Sequence, residues 1–169
     1  MRRLTLAVLP SAFLAACQPS PPAGEEVNPL EGAWRITGFS FTQRDTSYTH
    51  TNPQAGLFLF TEGHYSMMWV SIDEPRPLVA GDVPLIGTLD PTDTEKVASW
   101  DTFIAQSGTY EATDSTIMYR PVAAKNANLM AAGGPLMDRY ELVEDMLYLT
   151  FVPPWAPETE QRWTLTRIR

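Results

Sequence analysis

The chain is poor in the residues from which most catalytic and metal sites are built. Its 169 residues include one cysteine, Cys17, and two histidines. A single cysteine cannot form a disulfide within the chain, and no G-x-S-x-G motif, H-E-x-x-H motif or cysteine–histidine pair is present. We therefore assign no catalytic residue and expect neither a metal site nor a cofactor.

Positive charge is also scarce. Twelve lysines and arginines stand against twenty aspartates and glutamates, which gives a formal net charge of −8. An acidic surface is repelled by nucleic acid and by anionic lipid headgroups. We therefore expect no nucleic-acid partner, and attachment to a membrane would need a means other than surface charge.

The chain also lacks an apolar run long enough to span a membrane at its amino terminus. Leu4 to Phe13 follows Arg2 and Arg3 but falls well short of the roughly 18 residues of a spanning helix, as in a secretory signal. The run is followed by Leu14-Ala15-Ala16-Cys17, which resembles the lipobox of bacterial lipoproteins. The resemblance implies cleavage before Cys17 and its acylation with chains such as palmitate. An ordinary signal peptide with an incidental cysteine is the alternative.

These signals divide the chain into three predicted parts. Residues 1–16 are the signal peptide, residues 17–29 the acylated cysteine and a tether, and residues 30–169 a single domain. Gln18 to Pro29 contains four prolines and almost nothing to bury, which is typical of an extended tether.

The lipobox resemblance also implies a location. Gln18 follows the cysteine, and no aspartate stands there to suggest retention in the inner membrane. By analogy with lipoprotein sorting in bacteria with two membranes, we expect an exported protein that is lipid-anchored at the periplasmic face of the outer membrane.

Two tight turns predict β-hairpins in the domain. Glu62-Gly63 and Glu144-Asp145 each join two runs of β-prone residues. The predicted registers place Phe60 opposite Tyr65 and Val143 opposite Met146. Further strands are predicted over Ala33 to Phe41, Gly108 to Ala112, Thr116 to Val122 and Arg162 to Ile168.

One helix interrupts the strands. Pro91-Thr92-Asp93-Thr94 offers cap residues, and Val97, Trp100 and Ile104 follow at helical spacing. Before it, Asp73 to Asp90 is long and proline-rich but contains several apolar residues, which is typical of a lid.

The number of strands favours an all-β fold that closes on itself. About eight short antiparallel strands and one short amphipathic helix predict an up-and-down barrel, in which closure removes exposed sheet edges. An open sandwich is the alternative.

Several short motifs resemble those of the bacterial lipocalin-like domain family, which are calycin-type barrels. They are Gly32-Ala33-Trp34, Gly63-His64-Tyr65-Ser66, Trp100-Asp101-Thr102-Phe103-Ile104-Ala105, Gly108-Thr109-Tyr110-Glu111, and Tyr140-Glu141-Leu142 followed by Leu147-Tyr148-Leu149. The resemblance implies a lipocalin-like barrel whose base is closed by Trp34 under an arginine from the last strand, Arg167.

The predicted hairpin registers place many aromatic side chains on one face of the sheet. This face would line a cavity for a small apolar or aromatic ligand, with tyrosine hydroxyls to orient it, or would simply fill the barrel. The candidate ligand-binding residues are Phe58, Phe60, Tyr65, Met67, Trp69, Tyr110, Tyr119 and Tyr140.

Three functions follow from these observations. The first is a membrane-anchored lipoprotein that binds or carries a small apolar or aromatic molecule. The second is a non-catalytic structural or interaction lipoprotein with a filled barrel and an apolar surface patch near Trp155 or the predicted lid. The third is an isomerase or cyclase, which would place a polar group with a perturbed pKa inside the cavity.

Overall fold

The computed structural model describes residues 28–50, 53–74, 91–131 and 134–169. This part of the chain contains nine strands and two short helices. The strands are β1 (Gly32–Gln43), β2 (Thr46–His50), β3 (Gly56–Thr61), β4 (His64–Val70), β5 (Phe103–Ala112), β6 (Thr116–Ala124), β7 (Leu136–Val143), β8 (Met146–Phe151) and β9 (Thr159–Ile168). The helices are α1 (Asp93–Asp101) and α2 (Ala127–Ala131). The predicted signal peptide, Cys17 and most of the predicted tether and lid lie outside the described residues.

The last strand of the barrel returns to the first. The strand order runs from β1 through β3 and then consecutively to β9, and β9 pairs antiparallel with β1 from Ala33–Ile168 to Gln43–Thr159. Eight strands therefore close a ring, while β2 pairs with the end of β1 as an additional strand. The predicted all-β, eight-stranded, up-and-down antiparallel barrel is confirmed, and the open sandwich is excluded.

Both predicted hairpin registers are confirmed. Phe60 lies opposite Tyr65, and Val143 lies opposite Met146. Each turn contains a residue with positive φ, 68° at Gly63 and 54° at Glu144. Glycine adopts this left-handed conformation without the steric cost that a side chain brings.

The predicted helix is present, but its predicted apolar face is not buried. α1 starts after the N-cap Thr92, whose side chain takes part in a reciprocal capping box. The helix ends before Ile104, which lies in β5 instead. Val97 and Trp100 are each 58% exposed. The helical spacing of Val97, Trp100 and Ile104 did not extend the helix, because the residues from Phe103 onward pair with β4 and β6 as strand β5. The prediction of a single amphipathic helix is therefore corrected: the described residues contain two short helices, and neither has buried residues.

One end of the barrel, which we call the base, is closed by Trp34 and Arg167. Trp34 is fully buried, and its indole N–H donates to the carbonyl of Leu30 at 2.8 Å. The Arg167 guanidinium lies 4.1 Å from the centroid of the Trp34 ring and donates to the carbonyls of Glu31 and Pro29 at 2.7 and 2.6 Å. The guanidinium therefore holds the segment before β1 against the barrel while it covers the indole ring.

Residues just before β1 seal the same end. The Asn28 amide donates to the Tyr110 hydroxyl at 2.9 Å, and its side-chain oxygen accepts from the backbone N–H of Leu30 at 3.0 Å. Leu30 is fully buried. Contacts with the barrel therefore begin two residues before the predicted domain start at residue 30.

A bulge in β6 explains the glycine of one sequence motif. The β5–β6 register shifts between Ser107 and Gly108, where β6 carries an extra residue. A Cβ atom at Gly108 would overlap the backbone carbonyl of Arg120. Only glycine permits this close approach of the two strands.

We predict that Arg167→Ala lowers the free energy of unfolding by about 2–3 kcal/mol, because the variant loses two hydrogen bonds from a charged donor and the stacking on Trp34. Urea denaturation followed by tryptophan fluorescence measures this loss. The matched control is Arg162→Ala on the same strand, whose exposed side chain pairs only with Glu160 among the described residues, and which should change stability by less than about 0.5 kcal/mol. Equal effects of the two substitutions would contradict a special role for the base.

Candidate functional site: a cavity at the open end of the barrel

The end of the barrel opposite the base contains a cavity of about 800 Å³. Small-molecule sites in proteins span roughly 300–1,000 Å³, so the volume suits one small ligand. Inward side chains of the strands form its wall, and α2 and the loop between β8 and β9 form part of its mouth. The base half is filled by buried side chains, among them Leu30, Trp34, Ile117, Leu147 and Leu165.

The wall is mostly apolar and aromatic. Trp163 is packed on its other side against Phe39 and Trp69, with ring centroids 4.5 and 4.7 Å away. These ring contacts hold Trp163 in place as one wall of the cavity. The apolar side chains of the wall are Phe58, Met67, Ile104, Leu129, Leu136, Phe151 and Trp163.

Two tryptophans and a lysine lie at the mouth. The Lys125 ammonium lies 4.9 Å from the centroid of the Trp100 ring and donates to the Trp100 carbonyl. Trp155 is 60% exposed, and its ring centroid lies 6.1 Å from that of Phe151. Two exposed tryptophan rings therefore lie where a ligand would enter.

Three neighbouring strands each contribute a polar side chain to the cavity. Gln106 comes from β5, Tyr119 from β6 and Asp138 from β7. The side-chain oxygen of Gln106 and the hydroxyl of Tyr119 are buried and make no hydrogen bond of regular geometry. Buried polar atoms normally have partners, so these atoms mark a place where a partner is missing.

Asp138 is the one acidic residue among the described residues that line the cavity. Burial raises its pKa to about 7, and its interaction with the Tyr119 hydroxyl offsets part of that rise. The Tyr119 hydroxyl faces the Asp138 carboxylate and favours its ionised form. Burial also raises the pKa of Tyr119 well above its usual range, so the phenol stays neutral. The cluster can hold or move one proton near neutral pH, and it can accept hydrogen bonds from a ligand.

The predicted ligand-binding residues fall into two groups. Phe58, Met67 and Tyr119 line the cavity. The others lie elsewhere. Phe60 and Tyr110 pack against each other toward the base. Tyr65 packs against Tyr119 beside Asp138 but does not line the cavity. Trp69 packs behind Trp163, and the half-buried Tyr140 donates its hydroxyl to the carbonyl of Thr113 at 2.8 Å. The role of all eight residues in ligand binding stays a prediction.

Asp138 and Gln106 were missed as candidates, although a sequence signal for each exists. Asp138 stands two residues before Tyr140 on one strand, and Gln106 stands four residues before Tyr110 on another. Side chains at even separation share a face of a strand, so both positions are predicted to face inward. A polar residue on an otherwise apolar inner face is thus the sequence signal that could have identified Asp138 and Gln106 as candidate site residues.

Other types of site find little support in residues 28–50, 53–74, 91–131 and 134–169. No group of three or more histidine, cysteine, aspartate or glutamate side chains is arranged to hold a metal ion there. Among the same residues, neither helix has the length and apolar composition that crossing a bilayer requires.

We predict that the stability of the protein falls with rising pH because of Asp138. Its folded-state pKa of about 7 lies above its ordinary value of 3.8, so the folded state binds this proton more tightly than the unfolded state. The resulting loss of stability begins near pH 4 and is complete above about pH 7. Each unit of pKa difference corresponds to about 1.4 kcal/mol, so the whole loss amounts to about 4 kcal/mol. Asp138→Asn should therefore match the wild type near pH 4 and exceed its free energy of unfolding by about this amount near pH 8.

Urea denaturation of both proteins across this pH range measures the difference between their free energies of unfolding. Because all other titrating groups are common to the two proteins, their contributions cancel in this difference. Asp114→Asn, in the exposed turn after β5, is the matched control and should stay within about 0.5 kcal/mol of the wild type throughout. A constant difference between Asp138→Asn and the wild type would show that the buried carboxyl does not titrate in this way.

Comparison with known proteins gives matches only among solved structures. No protein-family model and no curated protein matches the chain. It is similar to a lipocalin-like protein from Bacteroides uniformis, with a TM-score of 0.43, 14% identity, and coverage of 82% of this chain and 98% of that one. It is also similar to an uncharacterized protein from Bacteroides eggerthii, with a TM-score of 0.42, 10% identity and the same coverage. The lipocalin-like architecture of this chain is established by its own closed barrel of eight antiparallel strands.

Proposed function

We propose that this protein is a membrane-anchored lipoprotein that binds one small, largely apolar molecule in the cavity of its barrel. The observation that carries the proposal is the cavity of about 800 Å³, which is walled by aromatic side chains and has unpartnered polar atoms inside. Burial of apolar ligand surface against this wall supplies the affinity, at roughly 25 cal/mol for each Å² removed from water.

The polar atoms inside the cavity weigh against a completely filled barrel. A dry core would leave the Gln106 oxygen without a hydrogen-bond partner, at a cost of about 1–3 kcal/mol. A bound molecule with matching polar atoms removes this cost. The filled-barrel alternative describes the base half well, where Trp34, Arg167 and Asn28 all have hydrogen-bond partners.

A second function, acid–base catalysis on an apolar substrate, is favoured by Asp138. A carboxyl group with a pKa of about 7 can take and return a proton at neutral pH. An isomerase or cyclase needs such a group next to its substrate. Turnover of a bound ligand that disappears in Asp138→Asn would support this function, while release of the ligand unchanged would support carriage.

Ligand binding is tested with the fluorescent apolar probe N-phenylnaphthylamine, using the full chain with Cys17→Ser purified without detergent. We expect saturable binding at one site per chain. Leu129→Trp should weaken it at least about tenfold, because this half-buried side chain on α2 lines the cavity and the larger ring would occupy the ligand volume.

Met130→Trp is the matched control, since Met130 is the next residue of the same helix, is 45% exposed and does not line the cavity. Probe binding by this control should equal that of the parent. Absence of saturable binding, or equal weakening by both substitutions, would overturn the cavity as a ligand site.

The anchoring part of the proposal is supported by Leu14-Ala15-Ala16-Cys17 and by the acidic composition, which does not favour adhesion to anionic lipid. Two or more acyl chains hold a protein on a membrane stably, whereas one gives reversible binding. We expect the wild type to incorporate labelled palmitate and to sediment with membranes, and Cys17→Ser to do neither. A Cys17→Ser protein that stays in the membrane fraction would contradict anchoring at this residue.

A further inference from the structure

We infer that the molecule bound in the cavity carries a basic amine, which pairs with the carboxylate of Asp138 while an apolar body lies against the aromatic wall. This inference rests on the proposed ligand-binding function and names the chemical class of the ligand. It follows from the buried Asp138 carboxyl group, which has no cationic partner among the described residues, and from the unpartnered Gln106 oxygen that lines the same cavity.

The three polar side chains that β5, β6 and β7 place in the cavity can all accept hydrogen bonds, whereas the amide groups of Asn126, Asn128 and Gln161, which also line it, can donate as well. The Asp138 carboxylate and the Gln106 side-chain oxygen are acceptors, and the Tyr119 hydroxyl accepts through its lone pairs. They come from the neighbouring strands β5, β6 and β7 and line one cavity. A primary ammonium group presents three N–H donors, so it matches these acceptors in number and kind.

Asp138 has no cationic partner within the part of the chain that the structure describes. The titratable side chains that face Asp138 are Tyr119 on β6 and Tyr65 on β4. Both are neutral phenols, so neither can form an ion pair with the carboxylate. The uncharged Gln106 lines the same cavity from β5, and Phe151 lies opposite Asp138 on β8. A buried carboxylate without a counter-ion is costly, and a bound cation supplies that counter-ion.

The cation at the mouth does not take this role. Lys125 donates to the Trp100 carbonyl and lies over the Trp100 ring. Among the described residues that line the cavity it is the single cationic one, and it lies at the entrance. The described residues therefore bring one charged side chain to the inner part of the cavity, Asp138, which is negative when ionised.

Ligands with other head groups fit the cavity less well. A carboxylate or phosphate placed beside Asp138 would bring two negative charges together in a buried site, and it would offer no donor to the Gln106 oxygen. An alcohol has one donor for three acceptors. The net charge of −8 also attracts cations and repels anions before they reach the mouth.

The test compares two probes of nearly equal shape, naphthylethylamine and naphthylethanol, by isothermal titration calorimetry on the full chain with Cys17→Ser. The amine stays cationic throughout the pH range used, so changes in preference report on the protein. Near pH 8 we expect the amine to bind at least about tenfold more tightly than the alcohol, because a charge-assisted hydrogen bond is stronger than a neutral one. Near pH 5 this preference should shrink, because protonation of Asp138 removes the anion.

Two further measurements make the result specific to Asp138. In Asp138→Asn the ratio of the two affinities should approach one at both pH values, whereas Asp114→Asn should keep the preference of the parent. Near pH 7 the binding of the amine should release a proton from the protein, seen as a dependence of the binding heat on the ionisation enthalpy of the buffer.

Each outcome separates this inference from the proposed function. Binding of N-phenylnaphthylamine with no preference for the amine, or a preference that survives in Asp138→Asn, would overturn the amine assignment and leave apolar ligand binding intact. Failure of all three probes to bind would overturn both. A preference for the amine that is lost at low pH and in Asp138→Asn would support both.

Discussion

The antiparallel ladder between β1 and β9 is the contact on which the rest of the barrel depends. It joins the two strands along almost their whole lengths, and without it the eight strands would form an open sheet with two long edges. Closure fixes the number of strands in the ring and therefore its width. Eight strands enclose an interior that side chains can fill or that holds one small molecule. In this protein side chains fill the base, and the open end contains a cavity of about 800 Å³.

The two ends differ in how their buried polar groups are satisfied. At the base, the Trp34 indole, the Arg167 guanidinium and the Asn28 amide all donate to nearby acceptors. At the open end, Gln106 and Tyr119 keep buried polar atoms without partners. A core shaped for stability alone would have apolar side chains at such positions. Departures from local stability rules tend to lie at functional sites, and those of Gln106 and Tyr119 lie together in one cavity.

Strand alternation and turn chemistry made much of the fold predictable. Glu62-Gly63 and Glu144-Asp145 fix two registers locally, and each register then decides which side chains face inward. The depth of a side chain along the barrel axis is not a local property. Phe58 lines the cavity, whereas Phe60 on the same face packs toward the base. Depth depends on how all eight strands tilt and shift against one another, which no single hairpin encodes. The buried His50, held by Asp73 beyond β4, depends on the same long-range arrangement.

In the proposed function, selectivity has to come from the polar cluster of the cavity. An aromatic wall such as Phe58 and Trp163 distinguishes apolar molecules weakly, because one methylene group changes binding by only about 1–3 kcal/mol. A buried group that is left unpaired by the wrong ligand discriminates far more strongly. Asp138 is such a group, and alternation along β7 shows that it faces inward. The absence of a cation beside Asp138 among the described residues becomes visible only in the closed barrel. An unpaired buried carboxylate, which would select the ligand, therefore arises from the fold and not from a local motif.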